Sequence, residues 1–169
     1  MMKTGILVIS LVLALAGGGN AGGGAGGERR SLPIQLKADE LVADSTNRTA
    51  TFVGRVSARQ GDVTIYSDRL VINYSERNNE VEKVEAFGNV RIVQGNRLGE
   101  AGHAVYDNKA GKITLDTNPK VHEGNNVVSG KVITYFVDEQ KSMVTGGPDV
   151  RVEAVIHPRD KGKDDGKKP

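Results

Sequence analysis

The chain has 169 residues, a formal net charge of +2 and no cysteine. That length suits one domain with a real core, and the missing thiols exclude a disulfide framework, thiol catalysis, thiolate metal sites and a lipid-modified cysteine. The nearly balanced charge forms no basic stripe and there is no Trp, so neither a duplex-binding surface nor a base-stacking platform is expected, and nucleic acid is not a partner.

Residues 1–27 read as an export signal and leader. Lys3 supplies a positive start, Ile6 to Leu15 an apolar run, and Ala14-Leu15-Ala16 a small-x-small cleavage signal, with an alternative cut after Ala21. The apolar run is about ten residues where a spanning helix needs roughly 20. The mature protein is therefore expected to be exported and soluble, with Gly-rich sequence up to Gly27 as a flexible leader. Without cleavage, the same run would tether the chain.

The expected domain covers residues 32–158. Ile34 and Leu36 alternate against Gln35 and Lys37 after Pro33, which suits a strand start because its missing N–H breaks no ladder there. A pattern of a small residue, Asp or Gly, a polar residue and two aliphatics then appears at Ala38-Asp39-Glu40-Leu41-Val42. It returns at Ser67-Asp68-Arg69-Leu70-Val71, Ala101-Gly102-His103-Ala104-Val105 and Ser129-Gly130-Lys131-Val132-Ile133. A second marker recurs at Gln60-Gly61, Gln94-Gly95 and Glu123-Gly124. Both return after about 30 residues, the spacing of a repeat architecture. Period-two alternation within each copy predicts strands, and no window carries a helical period. Polar clusters at 44–47, 76–79, 107–111 and 138–141 predict hairpin turns. Gly54 and Gly88, inside strand patterns, predict bulges or tight bends.

Asp149 to Ile156 predicts a last strand, with Val150, Val152 and Ala154 as an apolar row against Arg151 and Glu153. His157-Pro158 ends it, and residues 159–169 are charge, Gly and Pro with nothing to bury, which predicts a disordered tail. An uncovered strand at each end of the sheet invites strand addition. A head-to-tail self-association is therefore expected, with Val150, Val152 and Ala154 at its C-terminal edge.

No nucleophile, base and orienter stand together, so no enzyme is indicated. His103, His122 and His157 have no metal spacing, and His103 reads as a solvated strand residue in the slot that Arg69 and Lys131 also fill. Asp39 and Asp68 read as bend residues accepting local backbone hydrogen bonds rather than as paired acids. The 124–131 segment echoes a phosphate loop but has one residue too many and no hydroxyl after Gly-Lys. No metal or cofactor is expected.

Aligning the copies places Ile34, Leu36, Leu41, Phe52, Val56, Ala58, Leu70, Ile72, Val90, Ile92, Ala104, Tyr106, Ile113, Leu115, Val132 and Phe136 on one face. That face is either the filled core of a sandwich or the lining of a groove, and alternation alone fits both.

The order and spacing of Pro33-Ile34-Gln35-Leu36-Lys37-Ala38-Asp39, Phe52-Val53-Gly54-Arg55-Val56, Gln60-Gly61, Ser67-Asp68-Arg69-Leu70, Gly99-Glu100-Ala101 and 129–135 resemble the organic-solvent-tolerance/lipopolysaccharide transport A family from Pro33 to Pro158. The resemblance implies an all-β fold, an open, twisted β-jellyroll of stacked antiparallel strands with repeats of about 30 residues. It also implies a periplasmic protein that shields lipid A acyl chains of lipopolysaccharide. Such a protein bridges an inner-membrane tethered jellyroll partner and an outer-membrane translocon. Family lipid contacts carry over to Ile34, Leu36, Ile92 and Tyr106. Phe52, Leu70 and Ile72 join them from the shared parity. A structural β-scaffold and a membrane-tethered jellyroll of the same pathway are the alternative readings.

Overall fold

The computed structural model describes residues 33–77, 80–137 and 139–158. The expected leader, the expected tail, Asn78, Asn79 and Asp138 lie outside the described residues. The described chain is all strand: β1 Gln35–Lys37, β2 Glu40–Asp44, β3 Thr49–Gln60, β4 Val63–Tyr74, β5 Val81–Gln94, β6 Arg97–Asp107, β7 Lys112–Asp116, β8 Lys120–Glu123, β9 Asn126–Ser129, β10 Val132–Phe136, β11 Lys141–Thr145 and β12 Glu153–Val155.

These strands form one antiparallel sheet that does not close on itself. β1 and β2 both pair with β3, β7 and β8 both pair with β6, and β9 pairs with β8 while β10 pairs with β7. Each such couple is one long strand interrupted in the middle, so the molecule is a stack of long rungs, each bent once. Of the expected turns, those at 44–47 and 107–111 lie wholly within the described residues and join successive rungs. Asp44 Oδ1 accepts from Thr46 N at 2.9 Å and Asn47 N at 3.0 Å, and Asp107 Oδ1 accepts from Ala110 N at 2.8 Å. The Gln-Gly and Glu-Gly markers fall at the opposite tip, between β3 and β4, β5 and β6, and β8 and β9.

The bends line up into a crease across the sheet, and the repeated sequence pattern marks it. Register shifts fall between Val53 and Val56, Tyr66 and Arg69, and Phe87 and Val90. Gly54 and Gly88 have φ of 80° and 75°, and Arg55 and Asn89 after them have φ of 45° and 46°. Thr117 and Asn118 repeat the left-handed pair at 61° and 59°. The N–H of Asp39 donates to Gly54 O at 2.9 Å, that of Gly102 to Thr117 O at 2.8 Å and that of Lys131 to Thr145 O at 2.8 Å. In each case the rung before the bend is tied to the backbone of the next.

On one face, cross-strand neighbours form apolar rows that run the length of the stack. Leu41, Phe52, Leu70, Ala86, Ala104, Leu115, Ile133 and Val144 pair in succession on one arm. Leu36, Ala58, Ile65, Ile92, Gly99, Val121, Val128 and Ala154 do so on the other. Ile65 and Ile92 from one arm and Leu70, Tyr106 and Ile113 from the other line a single cavity of about 10 Å³. The sheet is therefore folded along its crease with the arms packed together. That space is at the lower limit of what holds a water, so the middle of the trough is filled by its own side chains.

Several expectations are corrected. The face includes Ile133 and Tyr135, which are buried, and not Val132 and Phe136, which are half-buried on the other face. The fourth repeat copy is slipped by one: Gly130, not Ser129, takes the buried small-residue position held by Ser67 and Ala101. The last strand is only Glu153–Val155. Val150 and Val152 precede it, because Gly147 and Val150 bond each other's backbones in a tight turn, N to O at 2.6 Å and 3.4 Å. Of the expected edge row, Ala154 alone lies in a strand, opposite Val128.

Candidate functional site

Of the seven residues expected to touch lipid, Leu36, Phe52, Leu70, Ile72, Ile92 and Tyr106 share one face of the sheet and Ile34 immediately precedes β1, but their surroundings divide them. Leu70 and Ile92 are 1% exposed, and Ile72 and Tyr106 are buried beside them. Leu36 and Phe52 are half-buried, while Ile34 is 38% and their neighbour Leu41 is 57% exposed. The trough is sealed in the middle and open at its β1–β2 end. Among the described residues no strand pairs with β1 or β2 on the side away from β3, so the inward row there lacks the neighbouring rung that buries Leu70.

The Gln-Gly marker, which reads in the sequence only as a repeat signal, also supplies a polar rim. Gln60 and Gln94 are 8% and 7% exposed on the trough face, next in parity after Ala58 and Ile92. Gln94 Nε2 donates to Asp62 Oδ2 at 3.2 Å, and Arg97 Nε donates to Glu123 Oε1 at 3.0 Å further along the same tip. The signal was available: two residues beyond a buried aliphatic in a strand is the same face.

The opposite face carries paired charge. The Arg69 guanidinium lies 4.3 Å over the Phe87 ring, Phe87 stacks on His103 at 4.7 Å, and His103 Nδ1 is 3.0 Å from Asp116 Oδ2. His103 is thus a stacked and paired residue rather than a solvated one. His122 Nε2 sits 3.2 Å from Glu100 Oε2. Asp39 and Asp68 also depart from expectation, since their carboxylates are served by side chains across the crease. Arg55 Nε donates to Asp39 Oδ1 at 3.0 Å, and Asn89 Nδ2 to Asp68 Oδ2 at 2.8 Å. The hydrogen bond from Arg55 holds the Asp39 carboxyl below the usual carboxylate range. Among the described residues no group of three or more His, Cys, Asp or Glu could hold a metal ion.

The described residues thus form a creased, open stack with an apolar inner face and a paired, charged outer face. Residues 35–141 match the model of the LptA/(LptD N-terminal domain) LPS transport protein family. The chain belongs to that family. Curated relatives include the lipopolysaccharide export system protein LptA of Escherichia coli K12 and that of Shigella flexneri. Each is 28% identical over 165 residues, covering 92% of this chain and 88% of the relative. Among solved structures, LptH, the LptA-homologous periplasmic component of the lipopolysaccharide transport device of Pseudomonas aeruginosa, superposes with a TM-score of 0.67. The match has 20% identity and covers 77% of this chain and 99% of LptH. The family match and the LptH fold agree with the open all-β stack of this LptA-family chain.

Proposed function

We propose that this LptA-family chain is a periplasmic carrier in lipopolysaccharide export that shields lipid A acyl chains in its trough. It would hand the lipid along a bridge between an inner-membrane jellyroll and an outer-membrane translocon. The observation that carries this reading is the unbroken apolar row from Leu41 to Val144, exposed at its first rung and continuous with the buried middle. An acyl chain with about 12 methylenes at roughly 0.8 kcal/mol each costs about 10 kcal/mol to expose to water. Entering at Ile34, Leu36, Leu41 and Phe52, it would exchange contacts between the arms for contacts with itself. That swap is apolar for apolar and needs little net free energy, so directionality comes from a partner. Lipid contacts at Leu70, Ile72, Ile92 and Tyr106 require the arms to separate along the crease.

The filled middle favours a second reading, a structural β-scaffold with no cargo. Site-specific photo-crosslinking separates the two. With a photoreactive residue at Ile34, Leu36, Phe52 or Tyr106, lipopolysaccharide adducts are expected, and none at the outward Gln35 or Arg91. Equal labelling on both faces leaves the scaffold reading standing.

A further inference from the structure

The last rung crosses the crease through a loop. After β11 the chain makes the tight turn between Gly147 and Val150 and rejoins the sheet as β12 on β9. Residues 149–152 thereby stand beside the crease ends of β8 and β9 and enclose a cavity of about 510 Å³. Its strand wall is a register row, Lys120 opposite Ser129 and Ser129 opposite Glu153. These three alternate with Val121, Val128 and Ala154 of the trough face, so the cavity opens on the outward side of the sheet.

The charges around this cavity are unpaired. Glu100, the other cross-strand neighbour of Lys120, is held by His122 at 3.2 Å. Among the described residues Lys120, Asp149, Arg151 and Glu153 enter no ion pair or side-chain hydrogen bond, although all four are exposed and line the one cavity. The register row sets a cation and a carboxylate on either side of a small hydroxyl. Adjacent strands lie about 4.8 Å apart, so Lys120 and Glu153 stand roughly 10 Å apart across the wall. Ser129 is too short to bridge them, and Val150 and Val152 on the loop add an apolar flank.

A ligand that answers this wall carries an anion at one end and a cation at the other, with a span to match. A free amino acid or ethanolamine phosphate holds its two charges too close together. Three extended residues of a peptide reach about 10 Å. The volume also falls within the roughly 300–1,000 Å³ of small-ligand sites. We infer that this outward cavity binds a short peptide with free ends, its carboxylate at Lys120 and its ammonium at Glu153. Arg151 and Asp149 add a second charge of each sign from the loop.

The test is calorimetric titration of the full chain with trialanine, N-acetyl-trialanine amide and alanine. Trialanine is expected to bind, and the blocked peptide and alanine to bind at least about tenfold more weakly, for want of charge-assisted hydrogen bonds. Lys120→Glu and Glu153→Lys should each weaken trialanine by a similar factor. The double variant should restore it, because the peptide can then lie in the reverse direction, a rescue that a merely structural role does not give. Lys120→Gln and Glu153→Gln serve if a reversed charge unfolds the sheet. Absence of trialanine binding by the unaltered chain overturns the site. Equal affinity for the blocked peptide overturns recognition of the ends, and equal affinity for alanine overturns the span. An affinity unchanged in both glutamine variants overturns the assignment to these residues.

Discussion

Arg55 reaches across the crease to grip the Asp39 carboxylate from the next rung, donating from both Nε and Nη2. One repeat later Asn89 does the same to Asp68. In both places the donor follows a glycine with positive φ, so the bulge that bends the strand also aims the side chain back at the preceding rung.

A pH dependence follows from Asp39. The bond from Arg55 lowers its folded pKa below the ordinary 3.8, so its contribution is present above that value and is lost as pH falls through the folded one. Asp44 acts in the same direction through the backbone N–H of Asn47. Melting temperature should therefore fall below about pH 4, and Asp39→Asn should flatten that fall. An unchanged acid limb in the variant would mean that other carboxylates govern it.

The crease glycines should resist substitution. A Cβ on Gly54 would strike the Asp39 carboxylate, and one on Gly88 that of Asp68, at φ values only glycine adopts cheaply. Gly54→Ala and Gly88→Ala should each cost about 1–3 kcal/mol in urea unfolding. Gly95→Ala, where an added Cβ meets nothing within 4 Å, should cost about 1 kcal/mol. Part of the Gly54→Ala cost should vanish in an Asp39→Ala background, because the two side chains compete for one space.

Position along the trough should separate stability from lipid contact. Leu70→Ala, in the filled middle, should destabilise by about 2–5 kcal/mol. Leu41→Ala, in the same row but 57% exposed, should cost about 0.5 kcal/mol or less, yet lower crosslinking of lipopolysaccharide at Phe52. Loss of stability at Leu41 equal to that at Leu70 would show that the first rung is sealed in solution.

Assembly should depend on both ends of the stack. Leu41 and Val42 are exposed on the first rung, Met143 on β11, and Val155 and Ile156 at and beyond β12. Strand edges of this kind recruit further strands. Sedimentation should show species that grow with concentration for the full chain and only monomers after deletion from Asp149 onward, with the sheet retained by circular dichroism. A full chain that stays monomeric at every concentration rules out self-association through these edges.

The sequence determined the class, the repeat and most of the trough face by itself. A period of two lies within each strand, so Leu70, Ile72, Ile92 and Tyr106 could be placed on one side from spacing alone. The crease pattern also stood in the primary structure, at Ala38-Asp39, Ser67-Asp68 and Ala101-Gly102. Tertiary structure decided whatever depends on crossing the bend. Inward positions there are three apart, Ser67 to Leu70 and Ala101 to Ala104, so alternation cannot be carried through it. The Ser129-Gly130 copy was consequently aligned one residue early, exchanging Val132 for Ile133. Only the folded sheet showed that the two arms meet and fill the trough, because that closure joins Ile65 and Ile92 to Leu70 and Tyr106 across the crease, a contact that alternation along any single strand does not encode.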